Sequence, residues 1–323
     1  MYSNWGHDTP KQGSFKVPTL QEIREERKKR TIITIACIYG DDVENGLHAV
    51  CDDSKNARTL AFAGVVGIQE EWDVIRPAWL DCTKGKEFHG SNCETGHKDY
   101  ENIPLQERLD EYRKLTTILA DESTLCGFGV ALDIAAFKSN LPKAKKEAPY
   151  FSCFMRVVMG LAEVGYLSIP RQKVEFAFDI NIYRQYNSAR MLEVLSRWPD
   201  CKWAQYIITD RMRYLSHKEF EMQVACLLAR EPFKYLDNIL TGEGRNIRAS
   251  TQKLLSTGRF RFHTYERGYF EDISQFMKDH ADEFNKEDSA YRQWLKDKGI
   301  KVDNITNQIY WLLTVFPPKP IEP

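Results

Sequence analysis

Leu47-His48-Ala49-Val50-Cys51-Asp52-Asp53-Ser54 decides how the chain is read, together with a second stretch, Val174-Glu175-Phe176-Ala177-Phe178-Asp179. Each is a short apolar run of strand type that stops on an acid. In open α/β sheets, ligands gather outside the carboxyl ends of strands. If the two strands are parallel neighbours, Asp52 and Asp179 come together. Asp52-Asp53 also stands before a polar turn, Lys55 to Arg58, and taken alone such a pair reads as a solvated turn.

Around these stretches the pattern is one of alternating strands and helices. Thr31 to Ile38, Leu47 to Cys51 and Leu60 to Ile68 are β-branched and apolar, and they predict three early strands in an antiparallel meander. Gln69 to Leu80 places Trp72, Ile75, Trp79 and Leu80 near helical spacing, and Leu105 to Leu119 does the same with Leu109, Tyr112, Leu115 and Leu119. An apolar stretch over Leu125 to Ala131 is followed by helices from Phe151 and Ser188, a strand at Trp203 to Ile208, and a helix from Lys218 to Ala229. The class expected is α/β: a mixed sheet flanked by helices, with a C-terminal helical extension. The division is an arm over 1–18, a core with a preceding short helix over 19–235, and the extension over 236–323. Thr19 with Glu22 predicts the cap of that short helix.

Composition narrows the function classes. The 45 basic and 46 acidic residues cancel, so a nucleic-acid site would have to be local rather than a global field. Eight cysteines lie scattered without a Cys-x-x-Cys pair, which reads as reduced thiols in a cytoplasm. The N-terminal stretch has no signal-like apolar core, and no apolar run reaches the roughly 18 residues of a membrane span. The expected location is cytoplasmic, with no membrane partner. Walker, G-x-G-x-x-G, G-x-S-x-G and His-Glu-x-x-His motifs are missing from the sequence.

The residues that carry chemistry are then the strand-end acids and one short segment, Glu87-Phe88-His89-Gly90-Ser91-Asn92. Carboxylates on neighbouring strand ends suit Mg²⁺ or Mn²⁺, which prefer oxygen ligands. Two such ions about 3.5–4 Å apart activate water and stabilise the leaving oxygen of a phosphodiester. His89 could orient phosphate or water, and Glu87 could reach a metal. Cys82, His89, Cys93 and His97 are zinc-capable side chains, but their spacing fits no standard zinc module. Basic and aromatic residues interleave in Arg211-Met212-Arg213-Tyr214 and in Arg259 to Tyr265. Such strips can hold phosphate and stack bases; alternation in the second also fits an edge strand.

Over residues 48 to 232 these motifs resemble a bacterial family, the domain of unknown function 3800, which is considered ribonuclease H-like. The matching features are Asp52-Asp53-Ser54, the glycine-bearing strand Phe62-Ala63-Gly64-Val65-Val66, Phe88-His89 and Phe178-Asp179. A last match is the helix Met222-Gln223-Val224-Ala225-Cys226-Leu227-Leu228-Ala229. The chain departs from the family at Asn92 and Cys226, where the pattern has Asp. The resemblance implies a metal-dependent nuclease, a hydrolase of nucleic-acid phosphodiesters. Asp52 and Asp179 would be its principal metal ligands, Asp53 and Glu87 its assisting carboxylates, and His89 would position phosphate or water. Loss of two acids implies the alternative of a catalytically silent relative, binding nucleic acid or a protein partner through its C-terminal helices. Glu219 or Glu231 could otherwise supply the missing oxygen.

Overall fold

Leu47, Ala49 and Cys51 point to one side of the first strand and Val50 to the other, and both sides are buried under separate apolar clusters. A strand buried on both faces belongs in the middle of a sheet, and that is its place in the computed structural model of the protein. The structure describes residues 46–141, 148–180, 188–197, 202–279, 281–297, 299 and 319–321. The expected arm over 1–18, the helix capped by Thr19 and the strand Thr31 to Ile38 lie outside these.

The protein is α/β, as the alternation of elements predicts. Strands β1 (Leu47–Lys55), β2 (Thr59–Gly67), β3 (Cys126–Asp133), β4 (Val174–Asp179), β5 (Ile207–Leu215), β6 (Phe260–Tyr265) and β7 (Lys319–Pro320) form one mixed sheet. Their order is β5-β4-β1-β2-β3-β6-β7. The pairs β1–β2 and β2–β3 are antiparallel, whereas β1–β4, β4–β5 and β3–β6 are parallel. Among the described strands the first three pair antiparallel, and the third of them is Cys126–Asp133, the segment read from sequence only as an apolar stretch.

Helices cover both faces. On one side lies α5 (Ala148–Leu167), whose Phe151, Phe154, Val158 and Leu161 join Phe62, Phe176 and Phe178. It is the one described helix long and apolar enough to cross a membrane, and it is largely buried in this core. On the other side lie α1 (Gln69–Thr83), α2 (Gly90–Thr95), α3 (Leu105–Thr117) and α7 (Phe220–Thr241), while α4 (Ile134–Asn140) and α6 (Ser188–Ser196) are shorter links. Trp72, Ile75 and Trp79 of α1 and Tyr112 and Leu115 of α3 are buried as their spacing predicts, but Leu80 is left exposed. A Cβ on Gly129 of β3 would come within 3.1 Å of Pro232, so the glycine lets α7 lie close on the sheet.

Residues beyond 235 are not helix alone. After α8 (Ala249–Ser256), β6 adds to the core sheet beside β3, and only then come α9 (Arg267–Asp279) and α10 (Ala281–Asp297). The alternation of Arg259 to Tyr265 is that of a strand with Phe260 and Phe262 packed inward. It is not the outermost strand, because β7 pairs antiparallel with it. Within the proline-rich tail the described Lys319–Pro320 form a strand, and the main-chain N–H of Ile321 donates to Phe262 O at 2.8 Å.

Candidate metal centre

The register of β1 on β4 sets Cys51 opposite Phe178, so the next residues, Asp52 and Asp179, stand side by side. They share the face of Val50 and Ala177, the face covered by α7. Both are buried, at 3% exposure each. Two carboxylates this close to each other and out of water need a positive partner.

The partner is His217, in the turn between β5 and α7. Its Nε2 lies 3.1 Å from Asp52 Oδ2 and its Nδ1 lies 3.2 Å from Asp179 Oδ2. Burial alone would lower its basicity, but hydrogen bonds to Asp179, Asp52 and Cys226 outweigh it and hold the proton well above the imidazole range. The ring is therefore an imidazolium hydrogen-bonded through Nε2 to Asp52 and ion-paired through Nδ1 with Asp179. Gln223 fixes the turn by donating from Nε2 to His217 O at 2.9 Å, and is itself held by Trp79 Nε1 at 3.0 Å.

Two further side chains close on the same point. The His89 ring centroid is 4.8 Å from that of His217, and its Nδ1 is 2.9 Å from Ser91 Oγ. Burial first, and the neighbouring His217 second, keep His89 less basic than a free imidazole. Cys226, buried on α7, is hydrogen-bonded to His217 and to the Gly90 N–H, and burial pushes its thiol up to about 11. Two sets of ligand atoms thus converge: Asp52, Asp179 and His217, and His89, His217 and Cys226, each set within 4.8 Å.

Other residues expected here lie elsewhere. β1 does not stop at Cys51; it pairs with β2 through Lys55, so Asp52 and Asp53 are in mid-strand rather than in a turn. Alternation then turns Asp53 to the opposite face from Asp52 and Asp179. Its amide donates to Asp52 Oδ1 at 2.8 Å. Burial and then the Asp52 charge push its carboxyl up to about 7. Glu87 is half-buried and is not among the converging groups of the described residues. Asn92 is half-buried in α2, where its main-chain oxygen accepts from Gly96 and His97.

Neither Glu219 nor Glu231 is poised to replace the acid missing at Cys226. Glu219 accepts from the Ser216 amide at 2.9 Å as it leads into α7. Glu231 is wholly buried and accepts from Tyr112 at 2.6 Å, Ser250 at 2.8 Å and Thr251. Nor do Cys82 and Cys93 join His89: their thiols face the main-chain oxygens of Glu111 and Arg108.

His217 was not singled out from the sequence. The reading ended β5 at Ile208, whereas the strand runs on to Leu215 through the exposed Asp210, Arg211 and Arg213. Had the edge strand been followed to its end, Ser216-His217 would have stood, like Asp179, at a strand terminus. No protein-family model matches the chain, and none of the curated proteins matches it.

Proposed function

We propose that the chain is a ribonuclease H-like phosphodiesterase acting on nucleic acid through one divalent ion held by Asp52, Asp179 and His217. The observation that carries this reading is the pairing of two buried carboxylates with one imidazole at 3.1 and 3.2 Å, on the two parallel strands β1 and β4. Three antiparallel strands followed by two parallel ones, with Asp52 on β1 beside Asp179 at the carboxyl end of β4, support the ribonuclease H-like assignment.

A pair of hard ions does not fit these donors. Two-ion sites need carboxylates on several sides, and here the third side is a thiol while Asp53 faces away. One ion does fit. When bound it would polarise a phosphoryl oxygen and make its water more acidic. Asp52 and Asp179 supply the charge that holds it, and His217 gives up its proton to admit it. His89, already less basic than usual, offers a neutral nitrogen towards substrate phosphate or water.

A second reading is favoured by the imidazolium itself. His217 already neutralises half of the charge on Asp52 and Asp179, and Cys226 adds none, so the pull of the site on a divalent ion is weakened. On that reading the chain is a silent relative that binds nucleic acid or a protein partner. Arg211 on the outer strand β5, 72% exposed, is a contact it would use. Nuclease assays on single- and double-stranded DNA and RNA with Mg²⁺ or Mn²⁺ separate the two. Cleavage that Asp52→Asn and Asp179→Asn each reduce at least a hundredfold is the outcome expected. Binding without cleavage, unchanged in both variants, would leave only the silent reading.

A further inference from the structure

We propose that the ion this site selects is zinc or a similarly soft divalent cation, bound by His89, His217 and Cys226 with Asp52 as fourth ligand. The proposal rests on the reading of an ion beside Asp52 and His217, reassigns Asp179 from ligand to orienting group, and does not require hydrolysis.

Four features point to it. The first is the donor set: two imidazoles, a thiol and a carboxylate are what a tetrahedral zinc site uses, whereas a thiol is a poor ligand for Mg²⁺. The second is convergence, because the ligand atoms of His89, His217 and Cys226 lie within 4.8 Å of one another. The third is spacing. Two ligands at about 2.0–2.1 Å from a tetrahedral ion are about 3.3 Å apart, and His217 Nε2 is 3.1 Å from Asp52 Oδ2.

The fourth is orientation. Metal-binding histidines are held at the nitrogen that does not bind the ion, commonly by a carboxylate. Asp179 holds Nδ1 of His217, and the Ser91 hydroxyl holds Nδ1 of His89. In both rings this assigns Nε2 to the ion. Asp179 becomes the orienting carboxylate rather than a ligand, and Cys226, the residue that spoils a hard-ion site, becomes the group that sets the preference. The sequence contains four zinc-capable residues between 82 and 97, yet only His89 of these takes part.

The test uses the full chain, treated with chelator and dialysed. Calorimetry should show one Zn²⁺ per chain, bound at least a hundredfold more tightly than Mg²⁺ or Mn²⁺. With Co²⁺ the protein should show thiolate-to-metal charge-transfer absorption in the near ultraviolet. Cys226→Ser should abolish that absorption and weaken Zn²⁺ binding at least tenfold, His89→Gln should also weaken binding tenfold, and Cys82→Ser should change neither. If a variant fails to fold by circular dichroism, the wild-type cobalt spectrum decides alone. Equal or tighter Mg²⁺ or Mn²⁺ binding, a cobalt spectrum without thiolate character, or zinc binding untouched in folded Cys226→Ser would each overturn the proposal. Zinc binding without nuclease activity would defeat the phosphodiesterase reading only, and Mn²⁺-dependent cleavage by a chain that takes no zinc would defeat this one only.

Discussion

Asp52 and Asp179 would repel each other across the β1–β4 boundary if nothing stood between them, and His217 supplies one positive charge for the two. In the ion-free protein, His217→Gln leaves that pair without a counter-charge. The expected cost is about 3 kcal/mol near pH 6, the range for breaking a buried ion pair. The pH dependence follows from the sign of the shift. The folded imidazole is more basic than the unfolded one, so its contribution is complete below the unfolded value of about 6.5 and declines as pH rises beyond it. Urea unfolding of wild type and variant at pH 6 and pH 9 should show the gap narrowing at the higher pH; a gap that widens would contradict the ion-pair geometry. At this scale the sequence was legible where an acid ended an apolar run, as at Asp179. It was misleading at Asp53, whose face could not be known until β1 was seen to continue to Lys55. His217 was hidden by the charged residues of β5, which an exposed strand tolerates and which made its alternation hard to see.

Among the elements, α7 does most to shape the site, carrying Gln223 and Cys226 beneath α1 and α2 and following directly on His217. Its own position is fixed by Glu94 of α2, which accepts from Arg230 at 2.6 and 2.9 Å and from Arg248 at 2.7 Å, with Lys234 at 3.4 Å. Burial would raise the Glu94 pKa, but Arg248 and Arg230 overcome it and hold the carboxyl below the ordinary value. One side chain therefore ties α2 to α7 and to the residue that leads into α8. Glu94→Ala would leave the buried Arg230 without its anion and Arg248 with Glu231 alone, 3.9 Å away. A loss of about 3–5 kcal/mol is expected, read as a lowered urea midpoint, together with weaker holding of His89 at the start of α2. Helical spacing made α1 and α3 legible, because their buried aromatics recur at the helical period. It could not reveal Glu94, since a charged residue on a short helix reads as a solvated face until its partners arrive from more than a hundred residues away.

For the molecule as a whole, the class was readable from alternating elements, but strand order was not. Local patterns do not say that Cys126–Asp133 closes the meander or that Phe260–Tyr265 returns to the sheet, because both depend on partners distant in sequence. The described end of the chain takes part as well: Ile321 is 4% exposed and packs in the cluster with Phe260 and Phe262. Ile321→Ala should cost about 2 kcal/mol, at the low end for truncating a buried isoleucine, seen as a lower thermal midpoint. No change would mean that this stretch does not hold the sheet in solution. The seating of Lys319–Pro320 on β6 reaches beyond stability, because an open sheet is a template onto which another molecule can be copied. Among the described residues, one border is capped by two residues, one of them a proline with no N–H to offer; the other, β5, is lined by Asp210, Arg211 and Arg213. Growth of fibres by strand addition is thereby discouraged at both of these borders.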